Sequence, residues 1–373
     1  MHRRKFLLSS IGTGALAVVG NCIAAPAIDP IQAALKQMIG TREGCGAVAM
    51  VIDDNGTSTV SYGNSDASRK SLDTHTVFEI GSITKVMTAL ILTDMVAKGE
   101  VAMDDPVAKY LPASFALLDN GRPITLFDLA NYHCGLPKTP GNLPPDWWAN
   151  PNPFADYTID KLSTSLSGYT PPYQPGTRFE YSSVGFALLG IALSQRAGKS
   201  FDALLIDRVC TPLGLAHTRV SLSVDMKKHL VQPHGINEQP TSLWDFGALQ
   251  AAGAAHASVG DMGLFLKACM GLTHTRLDKS FERLLATRTP TTLAGTETGL
   301  GWFITKSGNE EIAWKTGLTG GCNSFIGFST KTLRGAVVLS NFVWQPIDIG
   351  TTLVGMKMIA PDFDPGDLAS LYA

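Results

Sequence analysis

The sequence predicts an α/β (α+β) fold in which both ends of the chain build one antiparallel sheet with flanking helices and an all-α domain is inserted between them. Runs rich in β-branched residues lie near both ends, while the middle of the chain has apolar residues at helical spacing. The 373 residues are enough for one large or two ordinary domains. With 45% hydrophobic and 17% charged residues, the composition is that of a globular protein and excludes disordered, coiled-coil and fibrous ones.

Residues 1–27 are predicted to be an export signal that precedes the fold. Arg3-Arg4-Lys5 is a basic start, Phe6 to Val19 is a modestly apolar stretch, and Ala25-Pro26-Ala27 offers an A-x-A cleavage pattern. The paired arginines also resemble a twin-arginine signal, which exports proteins that have already folded. A buried or anchoring helix and lipidation at Cys22 are the alternatives. We expect a periplasmic or secreted protein.

The sheet is predicted to come from residues 28–80 and 290–373. Gly46 to Asp53 is an apolar run, and a turn sequence, Asp54-Asn55-Gly56, separates it from the β-branched run Thr57 to Tyr62; this order is typical of a β-hairpin. Four further strands are predicted near the other end of the chain: Leu300 to Thr305, Glu311 to Lys315, Ser324 to Ser329 and Gly335 to Ser340.

The inserted helical domain is predicted to span residues 81–289. Five runs there have helical spacing: Ser82 to Lys98, Leu126 to Tyr132, Gly185 to Arg196, Phe201 to Val209 and Asp261 to Met270. Residues 137–175 hold nine of the 21 prolines, together with Trp147 and Trp148. Because long ordered loops usually have a role, we expect this irregular segment to form one wall of a binding site.

Charge and cysteine usage exclude several kinds of partner and cofactor. The formal net charge is −2, so the chain lacks the basic field that nucleic-acid binding needs. Mean hydropathy is +0.10, and past the N-terminus no apolar run reaches the ~20 residues of a membrane span. The six cysteines are widely spaced, and H-E-x-x-H is absent. We therefore expect mostly buried cysteines, no disulfide framework, no metal and no cofactor.

Ser82-Ile83-Thr84-Lys85 is the first candidate for catalysis. Apolar residues from Val86 to Met95 follow it at helical spacing, so Ser82 is expected to begin a helix that is buried on one side. Residues at i and i+3 share a helix face, which brings Lys85 against the Ser82 hydroxyl. A serine becomes a nucleophile when a nearby base takes its proton, and a buried lysine with a lowered pKa is such a base. A capping serine with a solvent-facing lysine is the alternative.

Two later segments supply partners for this pair. The segment Gly176 to Ser183 places Tyr181 at a corner between a loop and an apolar helix, where flanking lysines could hold its phenol as a base. Ser183 could hydrogen-bond Lys85 or a substrate amide. Lys315 ends a predicted strand and offers a cation to a substrate carboxylate or to Tyr181. The glycines that follow let a ligand approach the backbone at the strand edge.

The order of these motifs is similar to that in serine β-lactamases and penicillin-binding DD-peptidases. Ser82-x-x-Lys85 comes first, Tyr181-x-Ser183 second and Lys315-Thr316-Gly317 third. The tyrosine motif, preceded by Pro175-Gly176-Thr177, and the run Lys-Thr-Gly-Leu-Thr-Gly-Gly at 315–321 look most like class C β-lactamases and their periplasmic peptidase relatives.

The resemblance extends over roughly residues 45–345. Ile124 to Leu129, together with Gly135-Leu136-Pro137, resembles the family's segment after the nucleophile helix. The fold that the family implies, a β-lactamase/transpeptidase-like α/β domain with an inserted α domain, agrees with the pattern of strands and helices. Tyr62-Gly63-Asn64 also fits the family's Y-x-N pattern, but it precedes Ser82 and is interpreted as a decoy. His133 and His256 could suggest a serine–histidine system and are interpreted as structural or loop residues.

The resemblance implies a role for each site residue. Ser82 is then the acylated nucleophile and Lys85 its activating partner. Tyr181 is the general base or proton relay and Lys315 an electrostatic anchor; which of Lys85 and Tyr181 takes the first proton stays open. Backbone N–H groups of Ser82 and Leu318 are expected to form the oxyanion hole. Substrate-binding residues are expected to be Ser183, Thr316, Gly317, Leu318 and Asn341.

The implied activity is the opening of β-lactams through a Ser82 acyl-enzyme that water then hydrolyses. The expected substrate is a small β-lactam or a D-Ala-D-Ala peptide. One residue departs from the family, which usually has asparagine where this chain has Ser183. Serine is shorter and presents no amide, which bears on substrate range and deacylation. A DD-peptidase, a small-ester hydrolase and a non-hydrolytic penicillin sensor are the alternatives.

Overall fold

The computed structural model describes residues 28–293, 295–343 and 349–360, so the predicted export signal, residues 1–27, lies outside the described residues. The helices are α1 (Ile28–Ile39), α2 (Thr84–Ala97), α3 (Leu126–Ala130), α4 (Ile159–Leu166), α5 (Ser183–Ala197), α6 (Phe201–Leu205), α7 (Thr211–Leu213), α8 (Val224–Lys228), α9 (Gln250–Gly253), α10 (Val259–Cys269), α11 (Asp278–Ala286) and α12 (Ile349–Ile359). The strands are β1 (Gly46–Asp53), β2 (Gly56–Gly63), β3 (Val77–Glu79), β4 (Thr218–Arg219), β5 (His256–Ser258), β6 (Thr289–Pro290), β7 (Thr296–Thr298), β8 (Phe303–Ser307), β9 (Glu310–Leu318), β10 (Asn323–Ser329) and β11 (Gly335–Ser340).

Both ends of the chain build one eight-stranded antiparallel sheet. Its strand order is β2-β1-β11-β10-β9-β8-β7-β6, so the first hairpin is joined to the C-terminal strands by the β1–β11 pairing. In the hairpin Asp53 pairs with Gly56, and Asp54-Asn55 form the turn as predicted. The four predicted C-terminal strands correspond to β8, β9, β10 and β11. The sheet therefore brings residue 46 and residue 340 into the same structure, although about three hundred positions separate them.

Both faces of the sheet are buried, which explains why β1 is almost continuously apolar. Ala47, Ala49 and Val51 belong to a core cluster with α1 and α12. Val48 and Met50, which point to the opposite face, belong to the main core. There α10 packs on the sheet, because Gly263 brings that helix directly against the Met50 side chain. One helix of the segment 81–289 thus covers the sheet.

Helix α2 is the centre of the helical part and is buried on all sides. Every residue from Thr84 to Met95 is buried, and α5, α9 and α11 pack around the helix. The prediction of one buried face is wrong, because the surrounding helices cover every side of α2, including the side that carries the polar residues Thr88, Thr93 and Asp94. Helix α3 ends before the predicted Tyr132, since Tyr132 has a left-handed backbone with φ of +64°.

Smaller elements complete the arrangement around these helices. Strands β3, β5 and β4 form a second, three-stranded sheet beside the start of α2. The segment 137–175, expected to be irregular, contains α4, which Thr158 caps through its side chain. Among the described residues, no helix combines the length and the apolar character that crossing a membrane requires.

Candidate active site

Ser82 lies in a single tight helical turn, Gly81–Ile83, that leads directly into α2. Two glycines press this turn against β9. Gly81 has a φ of +47°, and a Cβ added there would lie 2.6 Å from the backbone nitrogen of Leu318. A Cβ at Gly317 would collide with the backbone carbonyl of Ile80. This glycine contact, formed by Gly81 and Gly317, fixes the nucleophile turn next to the end of β9.

Two side chains hydrogen-bond the hydroxyl of Ser82. The Lys85 ammonium donates to Ser82 Oγ at 3.0 Å, as the i, i+3 spacing predicts. The hydroxyl of Tyr181, which is 99 positions further along the chain, donates to the same Oγ at 2.8 Å. Lys85 is therefore placed to accept the proton of Ser82, and Tyr181 is placed to donate a proton to a leaving group.

Lys85 is buried, with 1% of its surface exposed. Its second hydrogen bond, at 2.7 Å, goes to the backbone carbonyl of Ala252 in α9. Burial lowers the pKa of Lys85 to about 7, and the nearby Lys138 charge adds to this effect. At neutral pH a large part of the Lys85 population is then a neutral amine that can accept a proton.

Tyr181 is held between two lysines at the entrance to α5. Ser182 caps that helix through its side chain, which fixes the backbone beside Tyr181. The Lys85 and Lys315 nitrogens lie 5.0 Å and 4.6 Å from the centre of the Tyr181 ring. The structure therefore places the Tyr181 phenol between two lysines, as the sequence predicts.

Lys315 is bound by Tyr132, a residue that sequence analysis did not find. The buried ammonium donates to the Tyr132 hydroxyl at 2.7 Å, and burial together with Lys85 lowers the pKa of Lys315 well below its usual value. The Tyr132 ring stacks on Tyr181 with centroids 5.0 Å apart. Its left-handed backbone, uncommon for a bulky side chain, sets this orientation. Proximity in sequence to Gly135-Leu136-Pro137 was the one available signal.

These groups open into a cavity of about 650 Å³, a typical volume for a ligand site. The predicted residues Thr316, Leu318 and Ser183 line it. Strand β8 pairs with β9 only as far as Trp314, so residues 315–318 have one edge without a strand partner in the described part of the sheet. This is the strand edge that the glycine-rich sequence predicted.

The segment 137–175 forms part of the cavity wall, as predicted. Lys138, Thr139, Trp147 and Phe154 from this segment all line the cavity. Trp244 and Phe246 extend the same wall from a distant part of the sequence, and sequence analysis missed both. Nothing in their local sequence distinguishes them from core aromatic residues.

Ser183 is the first residue of α5, and its backbone N–H donates to the carbonyl of Lys138 at 3.1 Å. The hydrogen bonds described for the Lys85 ammonium go to Ser82 and Ala252, so the expected bond from Lys85 to Ser183 is not formed. Ser183 instead lines the cavity.

Two predicted substrate contacts are corrected. Asn341 is fully buried, and its amide hydrogen-bonds backbone groups that include Gly46 N at 2.7 Å, Gly44 O at 2.8 Å and Gln232 O at 2.9 Å. It holds the end of β11 against β1 and is not among the residues lining the cavity. Gly317 also does not line the cavity, because it makes the glycine contact with Ile80.

Tyr62, His133 and His256, which the sequence analysis interpreted as having no catalytic role, do not line the cavity. The Tyr62 hydroxyl donates to the carbonyl of Gly40, which directly follows α1. His133 is buried with its ring bonded to the backbone of Asn131, and His256 is buried within β5.

The five cysteines in the described residues are all free thiols, and four are buried. Within the same residues no group of three or more histidine, cysteine or acidic side chains is arranged to hold a metal.

Glu79 is a buried carboxyl beneath the cavity that sequence analysis also missed. It accepts hydrogen bonds from the backbone N–H of Trp244 at 2.6 Å and the hydroxyl of Thr319 at 2.7 Å. Burial raises the pKa of Glu79 to about 7 in spite of these bonds. The carboxyl thereby connects β3, the turn after β9 and the loop that carries Trp244.

Comparison with known proteins gives consistent results. The Beta-lactamase family matches residues 31–344. The chain is 29% identical over 318 residues to the D-alanyl-D-alanine-carboxypeptidase/endopeptidase AmpH of Escherichia coli (strain K12), which covers 79% of this chain and 80% of that protein. It is 25% identical over 347 residues to a β-lactamase of Pseudomonas fluorescens, with 83% and 92% covered. A β-lactamase/D-alanine carboxypeptidase structure from Pseudomonas syringae shares the fold, with a TM-score of 0.76 at 19% identity over 91% of this chain and 100% of that one.

These similarities confirm the fold class and the family resemblance inferred from the sequence. The family match begins within α1 and continues past β11, so it includes strands from both ends of the chain and every helix between them. Both curated relatives align over most of their own length. The chain belongs to the β-lactamase family, whose members are serine hydrolases.

Proposed function

We propose that this chain is a serine hydrolase that opens β-lactams through an acyl-enzyme on Ser82. The observation that carries the proposal is the pair of hydrogen bonds, from Lys85 Nζ and Tyr181 OH, that converge on Ser82 Oγ inside the cavity. A binding protein without catalysis has no need for two groups that can exchange protons with one hydroxyl.

In the proposed acylation, neutral Lys85 accepts the Ser82 proton as Oγ bonds to the lactam carbonyl carbon. The carbonyl oxygen becomes negatively charged, and the backbone N–H groups of Ser82 and Leu318 are proposed to stabilise it. The carbon–nitrogen bond of the ring then breaks, and the nitrogen receives a proton through Tyr181. Water afterwards hydrolyses the ester and releases Ser82.

The choice of Lys85 as the first base makes a prediction about pH. Because the pKa of Lys85 is lowered to about 7, its neutral fraction rises as pH increases through 7. We expect the acylation rate, measured by stopped flow with a chromogenic cephalosporin, to rise about 10-fold from pH 6 to pH 8 and then to level off. A rate that is flat over this range would assign the first proton transfer to another group.

The experiment that tests the nucleophile uses a fluorescent penicillin. Ser82→Ala should abolish covalent labelling and leave the circular dichroism spectrum unchanged. Ser165→Ala, which removes a hydroxyl from α4 outside the cavity, is the matched control and should label normally. Full labelling of the Ser82 variant would rule out the proposed acyl-enzyme.

A peptidase acting on D-Ala-D-Ala peptides is the second candidate, because the carboxypeptidase/endopeptidase relative is 29% identical over 79% of the chain. The lifetime of the acyl-enzyme separates the two functions. Mass spectrometry after mixing with a penicillin should show an adduct that disappears within seconds for a β-lactamase. An adduct that lasts for many minutes, together with release of D-alanine from a peptide, would favour the peptidase.

We also propose export across a membrane, on the strength of the basic start and the Ala25-Pro26-Ala27 pattern. If the twin-arginine route is used, replacing Arg3 and Arg4 by lysine should leave the precursor in the cytoplasm. Cell fractionation and immunoblotting measure this. Normal maturation of the double variant would indicate the general secretory route.

A further inference from the structure

Lys138 is a cationic residue of the cavity that has no role in the proposed acylation. It lines the cavity together with Lys85 and Lys315. Lys138 is exposed, and within the described part of the chain its ammonium group has no hydrogen-bond or ion-pair partner. A lysine that borders the reaction site without a partner is available to bind an anion.

The start of α5 holds the backbone of Lys138 beside the catalytic residues. The Ser182 hydroxyl donates to the carbonyl of Pro137 at 2.8 Å, and the Ser183 backbone N–H donates to the carbonyl of Lys138 at 3.1 Å. Two consecutive carbonyls are therefore bound by two consecutive residues of the helix start. Lys138 thus has a fixed point of attachment at the cavity and a flexible side chain that carries the charge.

The charges of the cavity favour an anion near Lys138. No aspartate or glutamate is among the described residues that line the cavity, so an anion would meet no like charge there. Burial lowers the pKa of both Lys85 and Lys315, which makes the charged forms of these two lysines less favourable. The Lys138 charge acts on Lys85 and lowers the pKa of that residue further. Lys138 therefore supplies a positive charge that is separate from the two buried lysines and still close to the reaction site.

We propose that Lys138 binds an anionic group, such as a carboxylate, on the acyl part of the substrate. Ser183 is the expected partner of a substrate amide, and its backbone is bonded to Lys138, so the anion would lie beside that amide. The inference rests on the proposed acyl transfer and narrows its substrates to amides or lactams with an anionic acyl substituent. Substrates with a neutral or cationic group at this position are disfavoured.

Two penams of the same shape test this: the α-carboxy derivative of the phenylacetyl compound and the corresponding α-carboxamide, which differ in charge at this position. In low-salt buffer we expect kcat/KM for the carboxylate to exceed that for the carboxamide by about 5-fold, the upper range for an exposed ion pair. The ratio should fall as salt is added, because an exposed pair is screened. Equal values in low-salt buffer, or preference for the carboxamide, would overturn the inference.

Two lysines of the segment 137–175 give a matched pair of variants. Lys138→Met should bring the ratio of kcat/KM close to one, and Lys138→Arg, which keeps the charge, should retain it. Lys161 lies in α4, bonds the carbonyl of Asp156 and does not line the cavity, so Lys161→Met should leave the ratio unchanged. The same ratio in Lys138→Met as in the unmodified protein would overturn the inference.

Binding without turnover separates this inference from the proposed function. In Ser82→Ala, isothermal titration calorimetry should give a Kd about 5-fold lower for the carboxylate than for the carboxamide. If Ser82 is not the nucleophile, neither compound will label the unmodified protein at Ser82, yet this difference in Kd will persist. Equal Kd values would overturn the inference even if the acyl-enzyme forms as proposed.

Discussion

The hydroxyl of Tyr132 connects the lysine of β9 to the loop that covers α2. It accepts a hydrogen bond from Lys315 and donates to the carbonyl of Gly301 at 3.2 Å. Tyr132→Phe keeps the stacked ring and removes the hydrogen-bond partner of the buried Lys315 nitrogen. A buried polar group that loses its partner costs about 1–3 kcal/mol, so we expect kcat/KM to fall about 5- to 150-fold.

The control for this variant is Tyr110→Phe, which removes a hydroxyl bonded to Asp105 away from the cavity. It should have normal kcat/KM. If Tyr132 serves only to pack the core, each variant should differ from the unmodified protein in melting temperature and not in kcat/KM. An unchanged kcat/KM in Tyr132→Phe would show that Lys315 needs no fixed partner.

Ser183 offers a test of the residue that departs from the family pattern. Its side chain faces the cavity, and asparagine there would add an amide that can bond a substrate carbonyl. One such bond contributes roughly 0.5–1.5 kcal/mol, so Ser183→Asn should raise kcat/KM for cephalosporins about 2- to 13-fold. Ser183→Ala is the matched variant and should not raise it. A collapsed rate in the asparagine variant would mean that the pocket is shaped around serine.

At this scale, sequence predicts chemistry better than it predicts contacts. Ser82 and Lys85 are neighbours in the chain, so their spacing alone predicts their hydrogen bond. Tyr132 and Lys315 are 183 positions apart, and no local pattern indicates that they meet. Asn341 is the opposite case, because a polar residue after a strand looks available for a ligand until its backbone partners are known.

Among the elements, the contact between the nucleophile turn and β9 depends on glycine. Gly317→Ala places a methyl group against the Ile80 carbonyl, so we expect loss of stability of about 1–3 kcal/mol and a slower acylation rate. Urea denaturation and stopped-flow acylation measure the two effects. Gly141→Ala is the control, since a Cβ there meets nothing within 4 Å. Equal effects of the two substitutions would contradict the predicted close contact.

Elements with strong local signals were predicted well. The hairpin of β1 and β2 was found from its turn residues, and α5 from its apolar spacing. Short strands such as β3 and β5 were missed because two or three residues carry no periodicity. The all-round burial of α2 was missed because it depends on which other helices surround it.

For the molecule as a whole, two buried groups predict how stability varies with pH. Glu79 has its pKa raised from 4.5 to about 7, so its contribution to stability is present below pH 4.5 and is lost as pH rises through 7. Lys85 has its pKa lowered from 10.5 to about 7, so its contribution is present above pH 10.5 and is lost as pH falls through 7. The summed contribution of Glu79 and Lys85 to the free energy of unfolding is therefore smallest near pH 7.

Urea denaturation at pH 5, 7 and 9 measures this minimum. Glu79→Gln should reduce the fall in the free energy of unfolding between pH 5 and 7 by roughly 1–3 kcal/mol. Lys85→Met should reduce the rise in the same free energy between pH 7 and 9 by roughly 1–3 kcal/mol. Asp53→Asn, at the exposed hairpin turn, is a control that should change neither the fall between pH 5 and 7 nor the rise between pH 7 and 9. Parallel curves for all four proteins would show that neither buried group titrates as described.

The glycine contact and the aromatic side chains that line the cavity give the two halves of the cavity different capacities to evolve. Gly81 and Gly317 leave no space for a methyl group, so the half that carries the nucleophile tolerates almost no variation. Four aromatic side chains of the other half, Trp147, Phe154, Trp244 and Phe246, come from two loops far apart in the chain, and none of them is among the described hydrogen-bond partners of Ser82. Under laboratory selection for larger substrates, beneficial substitutions should therefore accumulate in these two loops, while residues 80–85 and 315–318 stay as they are.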